Sequence, residues 1–318
     1  MIPPLLHFIW IESRKPFGKL EWIVIRSAIM NTPYDIILHT NLKEGQAGIY
    51  DPYKLKSKRF DIMHHDYSLD YKGIKLKEAT LSDILRIEYL QKYGGIYSDT
   101  DLVWFKPLPL SLKTNKLIGN WENKSYKILT NNLIAAEKGY DFTPLLKEFD
   151  EILEKLKAKG IKNISESTLK NHMTLFYATG TFMKKNATDI LERKYYMKNG
   201  WRMCQKIIKG ELPHEKLVLD GIYGFHVGNS VEGFKLLDIH KGLQEKLAPY
   251  IGHSEKDIEE TKAAEGPSGE TPPKNTTRKK KKKDVDVEET KAANESSKKN
   301  STEKNKPKEE TKKEDKKN

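Results

Sequence analysis

The sequence predicts an α/β protein with a mostly parallel sheet, followed by a charged tail that forms no core of its own. Three observations predict it. A strand, a helix and a second strand succeed one another within the first 40 residues. A long apolar helix at 81–93 ends in Gly94-Gly95 and runs directly into a further strand. Every Phe, Trp and Tyr lies before position 253. A strand–helix–strand order of this length is a βαβ unit, which joins parallel strands.

The elements follow in order. "LLHFIWI" (5–11), bounded by Pro3-Pro4 and the polar "ESRK", reads as a buried strand. "LEWIVIRSAIM" (20–30) precedes Asn31-Thr32-Pro33 and reads as a helix that stops ahead of the proline. "YDIILHT" (34–40) is the second strand. In "LSDILRIEYLQKY" (81–93), Ser82 or Thr80 is the expected cap and Asp83 suits the positive end of the helix dipole. Leu81, Ile84, Leu85, Ile87, Tyr89 and Leu90 spread around the helix, so it should be well buried. Gly94-Gly95 supply a left-handed C-terminal cap, and "IYSDTDLVWF" (96–105) follows as a strand interrupted by two carboxylates. Further strands are expected at "KLIGNW" (116–121), "NNLIAA" (131–136) and "KLVLDGIYGFHV" (216–227). Amphipathic helices are expected at 142–160 and at "NATDILERKYYMKNG" (186–200). There is no internal repeat.

Residues 253–318 hold 19 Lys and Arg against 16 Asp and Glu, with only Ile258, Val285 and Val287 as large aliphatics. Such a segment cannot bury enough apolar surface to offset the entropy of ordering, so the expected organisation is a folded domain over 1–252 and a disordered Lys/Glu-rich tail over 253–318. The tail's nearly balanced charge and lack of aromatics argue against nucleic-acid binding. Its "RKKKKK" (278–283) leaves only a weak contact with anionic surfaces to consider. Cys204 is the only cysteine, which excludes an intramolecular disulfide and fits a reducing compartment. The N-terminus lacks the basic region and cleavage site of a signal peptide, and no apolar run reaches the roughly 18 residues that span a bilayer. A soluble, cytoplasmic protein is the expectation.

The chemistry concentrates at "YGGIYSDTDLVW" (93–104). In a strand, residues i and i+2 share a side, so Asp99 and Asp101 would aim at one point. Two convergent carboxylates repel each other and call for a compensating cation; Mg²⁺ and Mn²⁺ suit oxygen ligands and are often held by one or two carboxylates plus substrate phosphates. The bland alternative is a polar turn tip. One helical turn apart on the preceding helix stand Asp83 and Arg86. As an ordinary ion pair they would contribute a few tenths of a kcal/mol. On an otherwise apolar helix they point to binding, with Arg86 suited to a phosphate or sugar and Asp83 to a hydroxyl.

The run "LSDILRIEYLQKYGGIYSDTDL" (81–102) resembles the signature of the glycosyltransferases with a sugar-binding Asp-x-Asp motif. That group includes yeast-type α-mannosyltransferases, bacterial capsule and lipooligosaccharide transferases and the large clostridial glucosylating toxins. Its pattern of Ser-Asp-x-x-Arg, aliphatic helix, Tyr-Gly-Gly, Ile/Val-Tyr and Asp-x-Asp is complete here. Trp10 in "HFIWIES" (7–13) falls where the family's first strand places a tryptophan against the nucleotide base. Asn131 falls on an asparagine of the strand after the metal site. "ATGTFM" (178–183) is similar to a later Thr-Gly-Pro element, with Thr181 in place of the proline. "YGFHVGNS" (223–230) is similar to a C-terminal element that ends in a histidine and a Ser-Trp pair; His226 and Ser230 match, and Val231 stands where the tryptophan would be.

The resemblance implies a GT-A fold, which is Rossmann-like, a nucleotide-sugar donor with UDP-sugar favoured and GDP-sugar possible, a divalent metal (Mn²⁺ or Mg²⁺), a glycan or glycoprotein acceptor, and transfer with retention. By position it implies that Asp83 and Arg86 contact sugar and ribose, and that Tyr97 lines the nucleotide pocket with Trp10, Asn131 and Ser230. Asp99 would face ribose, sugar and metal, Asp101 would bind the metal, and His226 would complete the metal or diphosphate shell. Two alternatives remain from the residues. "DTDLV" (99–103) superficially fits an Asp-x-Asp phosphatase, although its lead-in "GGIYS" lacks the long apolar strand that nucleophile wants. A non-catalytic nucleotide-sugar or anion-binding protein would use the same residues.

Overall fold

The structure is a computed structural model. It describes residues 1–12, 16–123, 127–164, 173–196, 206–207, 209–213, 216, 220–227 and 245, all within one unit, Met1–Gly266. The boundary expected at 252/253, the tail, Cys204 and Ser230 lie outside the described residues.

The opening βαβ unit is β1 (Leu5–Trp10), α1 (Lys19–Asn31) and β2 (Asp35–Thr40), and β3 (Phe60–His64) adds beyond β2. A small hairpin of β4 (Asp70–Tyr71) and β5 (Ile74–Lys75) leads into α2 (Glu78–Tyr93), then β6 (Gly95–Ser98) and β7 (Leu102–Trp104). After these come β8 (Leu117–Asn123), β9 (Ile128–Ala136), α3 (Thr143–Ala158), α4 (Thr174–Asn186), β10 (Asp189–Leu191) and β11 (Gly224–His226). The main sheet runs β10-β8-β9-β6-β1-β2-β3. Its pairings are parallel except at β9, which is antiparallel to both β6 and β8. The result is a mixed α/β sheet with a mostly parallel core.

β1 is hydrogen-bonded on both sides and buried on both faces, which is why it reads as a continuous apolar run. Leu6, Phe8 and Trp10 pack on the α1 side, while Ile9 packs on the side of α2, α3 and α4. α1 stops where Thr32-Pro33 cannot continue it. There the Thr32 hydroxyl donates to the Ala28 carbonyl at 2.8 Å, and Arg59 donates to the carbonyls of Ile29 and Tyr34 at 2.7 and 3.0 Å.

Several expectations need correction. α2 begins three residues before Leu81, with Lys77 as its cap, so Thr80 and Ser82 lie inside the helix. The Leu81 amide donates to the Lys77 carbonyl, and Glu78, not Asp83, occupies the first turn where the dipole acts. The helix expected at 186–200 does not form over its described part. α4 ends at Asn186, Asp189–Leu191 pairs in parallel with β8 as β10, and Arg193–Tyr195 is a single 3₁₀ turn. Sheet pairing overrides the helical pattern there. The "ATGTFM" segment (178–183), to which the sequence assigns no element, lies inside α4, where a side chain on Gly180 would collide with the Leu129 carbonyl of β9. Of the strand expected at 216–227, Gly224–His226 is extended and Gly221 turns with φ 72°.

The Gly94-Gly95 stop does what the sequence predicts. Gly94 caps α2 with φ 68°, and Gly95 follows at φ 98°. A Cβ on Gly94 would lie 2.5 Å from the Lys138 nitrogen, and one on Gly95 would run into the Leu5 carbonyl of β1. Only glycine fits both the turn and the close approach.

On the α2 side of the sheet, three histidines form a row. His7 Nδ1 lies 3.0 Å from His39 Nε2, His39 Nδ1 lies 3.1 Å from His65 Nε2, and His7 Nε2 lies 2.9 Å from the Gly94 carbonyl. No helix among the described residues is long and apolar enough to cross a membrane.

Candidate active site

The parallel strands β1 and β6 end side by side, and a cleft of about 350 Å³ opens at their carboxyl ends. Ligands of open α/β sheets bind at this edge. Ile9, Trp10 and Ile11 form one wall, Glu78, Ala79 and Ser82 of α2 another, and Arg86, Tyr97 and Asp99–Asp101 the floor.

The two aspartates do not converge by strand alternation. β6 ends at Ser98 and β7 starts at Leu102, so Asp99-Thr100-Asp101 is a turn between strands of different sheets. Three backbone bonds shape it. The Asp99 amide donates to the Asn132 carbonyl at 2.8 Å, the Leu102 amide to the Asp99 carbonyl at 3.3 Å, and the Val227 amide to the Asp101 carbonyl at 2.9 Å. The antiparallel pairing of β7 with β11 sets His226 opposite Leu102. His226 Nε2 thereby reaches Asp101 Oδ1 at 3.2 Å, and one ligand atom from each of Asp99, Asp101 and His226 lies within 4.8 Å of the others.

Arg86 organises the floor. Its guanidinium sits 3.0 Å from Asp83 Oδ1 and 3.3 Å from Asp99 Oδ1, donates to the Asn131 carbonyl at 2.6 Å, and lies 4.3 Å over the Tyr97 ring. The Asn131 amide donates to Asp83 Oδ1 at 2.8 Å, and the Tyr97 hydroxyl donates to Asp99 Oδ1 at 2.6 Å. Asp83 and Arg86 are thus more than an exposed helical pair: both are buried, and through Arg86 they fix Asp99. Asp83 and Asn131 stand behind Arg86 and are not among the residues lining the cleft, whereas Asp99 keeps 28% of its side chain exposed.

The electrostatics follow from this crowding. Burial raises the Asp83 carboxyl to about 6, with Arg86 opposing and Asp99 adding to the shift. Asp99 is raised by burial, against Arg86, and further by Asp101. Burial also holds Tyr97 well above the usual phenol range, so it remains a donor to Asp99. Burial works against a proton on His226, but the neighbouring Asp101 carboxylate outweighs it and the imidazole is raised.

The donor set suits a hard divalent cation: two carboxylates and one imidazole, with His226 Nδ1 buried and without a hydrogen-bond partner among the described residues. Of the residues expected from sequence, Trp10, Arg86, Tyr97, Asp99 and Asp101 meet in the cleft and His226 joins the aspartates; Ser230 is outside the described residues. Sequence reasoning missed Glu78 and Ala79 because it started α2 too late. Counting one turn back from Ser82 on the same helix face would have found them.

Residues 23–122 match the model of a glycosyltransferase sugar-binding region containing a DXD motif, a span that holds Asp83, Arg86, Tyr97, Asp99 and Asp101. Over that span the chain resembles this family. It is 28% identical over 146 residues to "Subversion of eukaryotic traffic protein A" of Legionella pneumophila, a match that covers 42% of this chain and 22% of that protein's length. The chain therefore spans about a fifth of that relative. It is similar in fold to the glycosyltransferase GlyE of Streptococcus pneumoniae TIGR4, with a TM-score of 0.50 at 10% identity over 83% of this chain and 64% of GlyE. The PaToxG glycosyltransferase aligns at a TM-score of 0.41 and 18% identity over 77% of this chain and 87% of its own.

Proposed function

We propose that this chain is a glycosyltransferase that moves a hexose from a nucleotide-diphosphate sugar, UDP-sugar foremost, to a hydroxyl of a glycan or glycoprotein. It would do so with Mn²⁺ or Mg²⁺ and with retention of the anomeric configuration, in the cytoplasm. The observation that carries this reading is the meeting of Asp99, Asp101 and His226 beside a cleft walled by Trp10.

Asp99, Asp101 and His226 would hold the cation. A divalent ion there supplies Lewis-acid neutralisation of the charge that grows on the leaving diphosphate. Trp10 gives the base an aromatic wall. Asp99 accepts hydrogen bonds from ribose or sugar hydroxyls, and its direction is fixed by Tyr97 and Arg86. Arg86 supplies positive charge at the cleft floor, and Asp83 with Asn131 keeps it in place. No side chain of this set needs to be a strong nucleophile.

The test is a donor-hydrolysis screen of the full chain across UDP- and GDP-sugars, with Mn²⁺, with Mg²⁺ and with chelator. Metal-dependent release of nucleoside diphosphate is expected, together with its loss in Asp101→Ala. Turnover unchanged by that substitution or by chelation sinks the metal-dependent reading. Tight nucleotide-sugar binding without turnover in any mixture would instead identify a non-catalytic binder.

A further inference from the structure

Trp10 is the one large aromatic on the β1 wall of the cleft, and its indole N–H is bonded to a carboxylate two residues on. The β1/β2 ladder ends at the pair Trp10↔Thr40. Beyond it the Asn41 side chain takes over the pairing: its Oδ1 accepts from the Glu12 amide at 2.6 Å and its Nδ2 donates to the Glu12 carbonyl at 3.1 Å. The strap so fixed turns the Glu12 carboxylate back over the strand end. Glu12 Oε2 accepts from Trp10 Nε1 at 2.8 Å and from the Phe17 amide at 3.2 Å. The Phe17 ring meets the indole edge-on, at 5.5 Å and 86°. Glu12 itself is not among the residues lining the cleft.

We infer that Glu12, tied down by Asn41, is a positioning residue that presets the Trp10 indole as the aromatic wall for the nucleotide base. The inference rests on the nucleotide reading of the cleft. An indole N–H only donates, and in a buried setting it needs an acceptor. A carboxylate gives the stronger, charge-assisted bond. Packing against Phe17 and the α1 side confines the ring; the carboxylate adds a direction to it, and without that bond any residual ordering falls on the ligand as lost affinity. A preset wall touches the base alike in the ground and transition states, so its loss raises KM and leaves kcat nearly alone.

The experiment uses the full chain, with calorimetric binding of UDP and of GDP in the presence of Mn²⁺ and steady-state donor hydrolysis. Glu12→Ala is expected to weaken UDP binding and raise donor KM about tenfold, with kcat moving less than about twofold. Glu12→Gln keeps an acceptor and should restore binding to within about threefold of the parent. In a Trp10→Phe background, which keeps a ring and removes the N–H, Glu12→Ala should add nothing; a merely structural role for Glu12 would cost the same in both backgrounds. An additive cycle, or unchanged nucleotide affinity in Glu12→Ala, overturns the inference. If Glu12→Ala does not fold, Asn41→Ala cuts the strap without touching the carboxylate, and unchanged nucleotide affinity in that variant overturns it equally. A parent chain that binds neither UDP nor GDP overturns the nucleotide reading itself, before any variant is compared.

Discussion

One helix serves two buried polar clusters that behave in opposite ways. The middle of α2 gives Arg86 to the cleft floor with Asp83 behind it, and the C-terminal end stacks Tyr89 on His39, with ring centroids 4.0 Å apart, and Tyr93 near His7. The cleft groups hold protons more tightly than free side chains: Asp83 rises to about 6, and Asp99 and His226 also rise. The histidine row holds them less tightly. Burial lowers His7 to about 4, against the bond to the Gly94 carbonyl, and lowers His39 to about 2 and His65 as well. The hydrogen bonding explains the contrast. The Gly94 carbonyl can only accept, so His7 Nε2 carries the hydrogen and Nδ1 accepts from His39 Nε2–H. His39 Nδ1 then accepts from His65 Nε2–H. An added proton on His7 or His39 sets two donors face to face. A structural polar cluster closes its hydrogen bonds on itself; the cleft cluster instead gathers carboxylates around one guanidinium and turns Asp99 and Asp101 toward open space.

The hardest way to break this contrast is to remove what each cluster is built around. Asp101→Ala should lower kcat of donor turnover on the order of 10²–10³-fold, because charge stabilisation of the leaving group is lost at its source; steady-state kinetics at saturating Mn²⁺ would read it. Arg86→Met leaves Asp83 and Asp99 buried or half-buried without their shared cation. Urea unfolding should show a loss of about 3–5 kcal/mol, the range for breaking a buried pair from one side. Arg86→Lys should recover only part of this, since a single ammonium cannot span Asp83, Asp99 and the Asn131 carbonyl at once.

Acid sharpens the comparison by its sign. His7, about 4 when folded and near 6.5 when unfolded, adds stability that is present above pH 6.5 and is lost as pH falls toward 4, a term of roughly 3 kcal/mol. Asp83 runs the other way. With a folded value of about 6 above an ordinary 3.8, it favours the fold at low pH and loses that contribution as pH rises from 4 to 6, again roughly 3 kcal/mol. Unfolding curves of His7→Gln and Asp83→Asn across pH 4–7 should therefore diverge from the parent in opposite directions. Relative to the parent, His7→Gln should do best at pH 4 and Asp83→Asn at pH 7. Shifts of the same sign in both would refute the two-cluster account.

What sequence could foresee divides along the same line. The cleft motif is local: Ser82 to Asp101 spans one helix, one glycine stop and one strand, and its spacing is readable without the fold. What it misjudged depends on neighbours. The start of α2 was displaced because two plausible caps, Thr80 and Ser82, stand inside a helix that Lys77 begins. The convergence of Asp99 and Asp101 was ascribed to strand alternation, but it comes from a turn pinned by Asn132 of β9 and Val227 beyond β11. The partner of Asn131 is equally non-local: its amide donates to Asp83 across 48 residues of sequence. The histidine row had no local signal at all. His7, His39 and His65 are scattered over three segments, and only the β1/β2 register, with Ile9 opposite His39, puts the first two on one face as diagonal neighbours.

The smallest expected effect isolates the one bond that ties the cleft's aromatic floor to its acid. Tyr97 donates to Asp99 Oδ1 at 2.6 Å while its ring carries the Arg86 guanidinium at 4.3 Å and its hydroxyl lies 3.4 Å from Ser82 Oγ. Tyr97→Phe keeps the ring and its hold on Arg86 and removes only the hydroxyl. Asp99 Oδ1 then retains Arg86 at 3.3 Å, so the carboxylate stays compensated and the fold should lose about 1 kcal/mol or less. Catalysis should fall further than stability does: Asp99 gains a degree of rotation about its side chain, and a misaimed ligand costs about threefold to tenfold in kcat/KM. Because the same loss loosens Asp99 toward the cation, Mn²⁺ should bind more weakly in Tyr97→Phe, while Ser82→Ala, which removes only the two 3.4 Å contacts of Ser82 Oγ with the Tyr97 hydroxyl and the Arg86 guanidinium, should change Mn²⁺ affinity less. Equal Mn²⁺ affinities in the parent and Tyr97→Phe, measured by titration of the full chain, would mean that Arg86 alone aims Asp99.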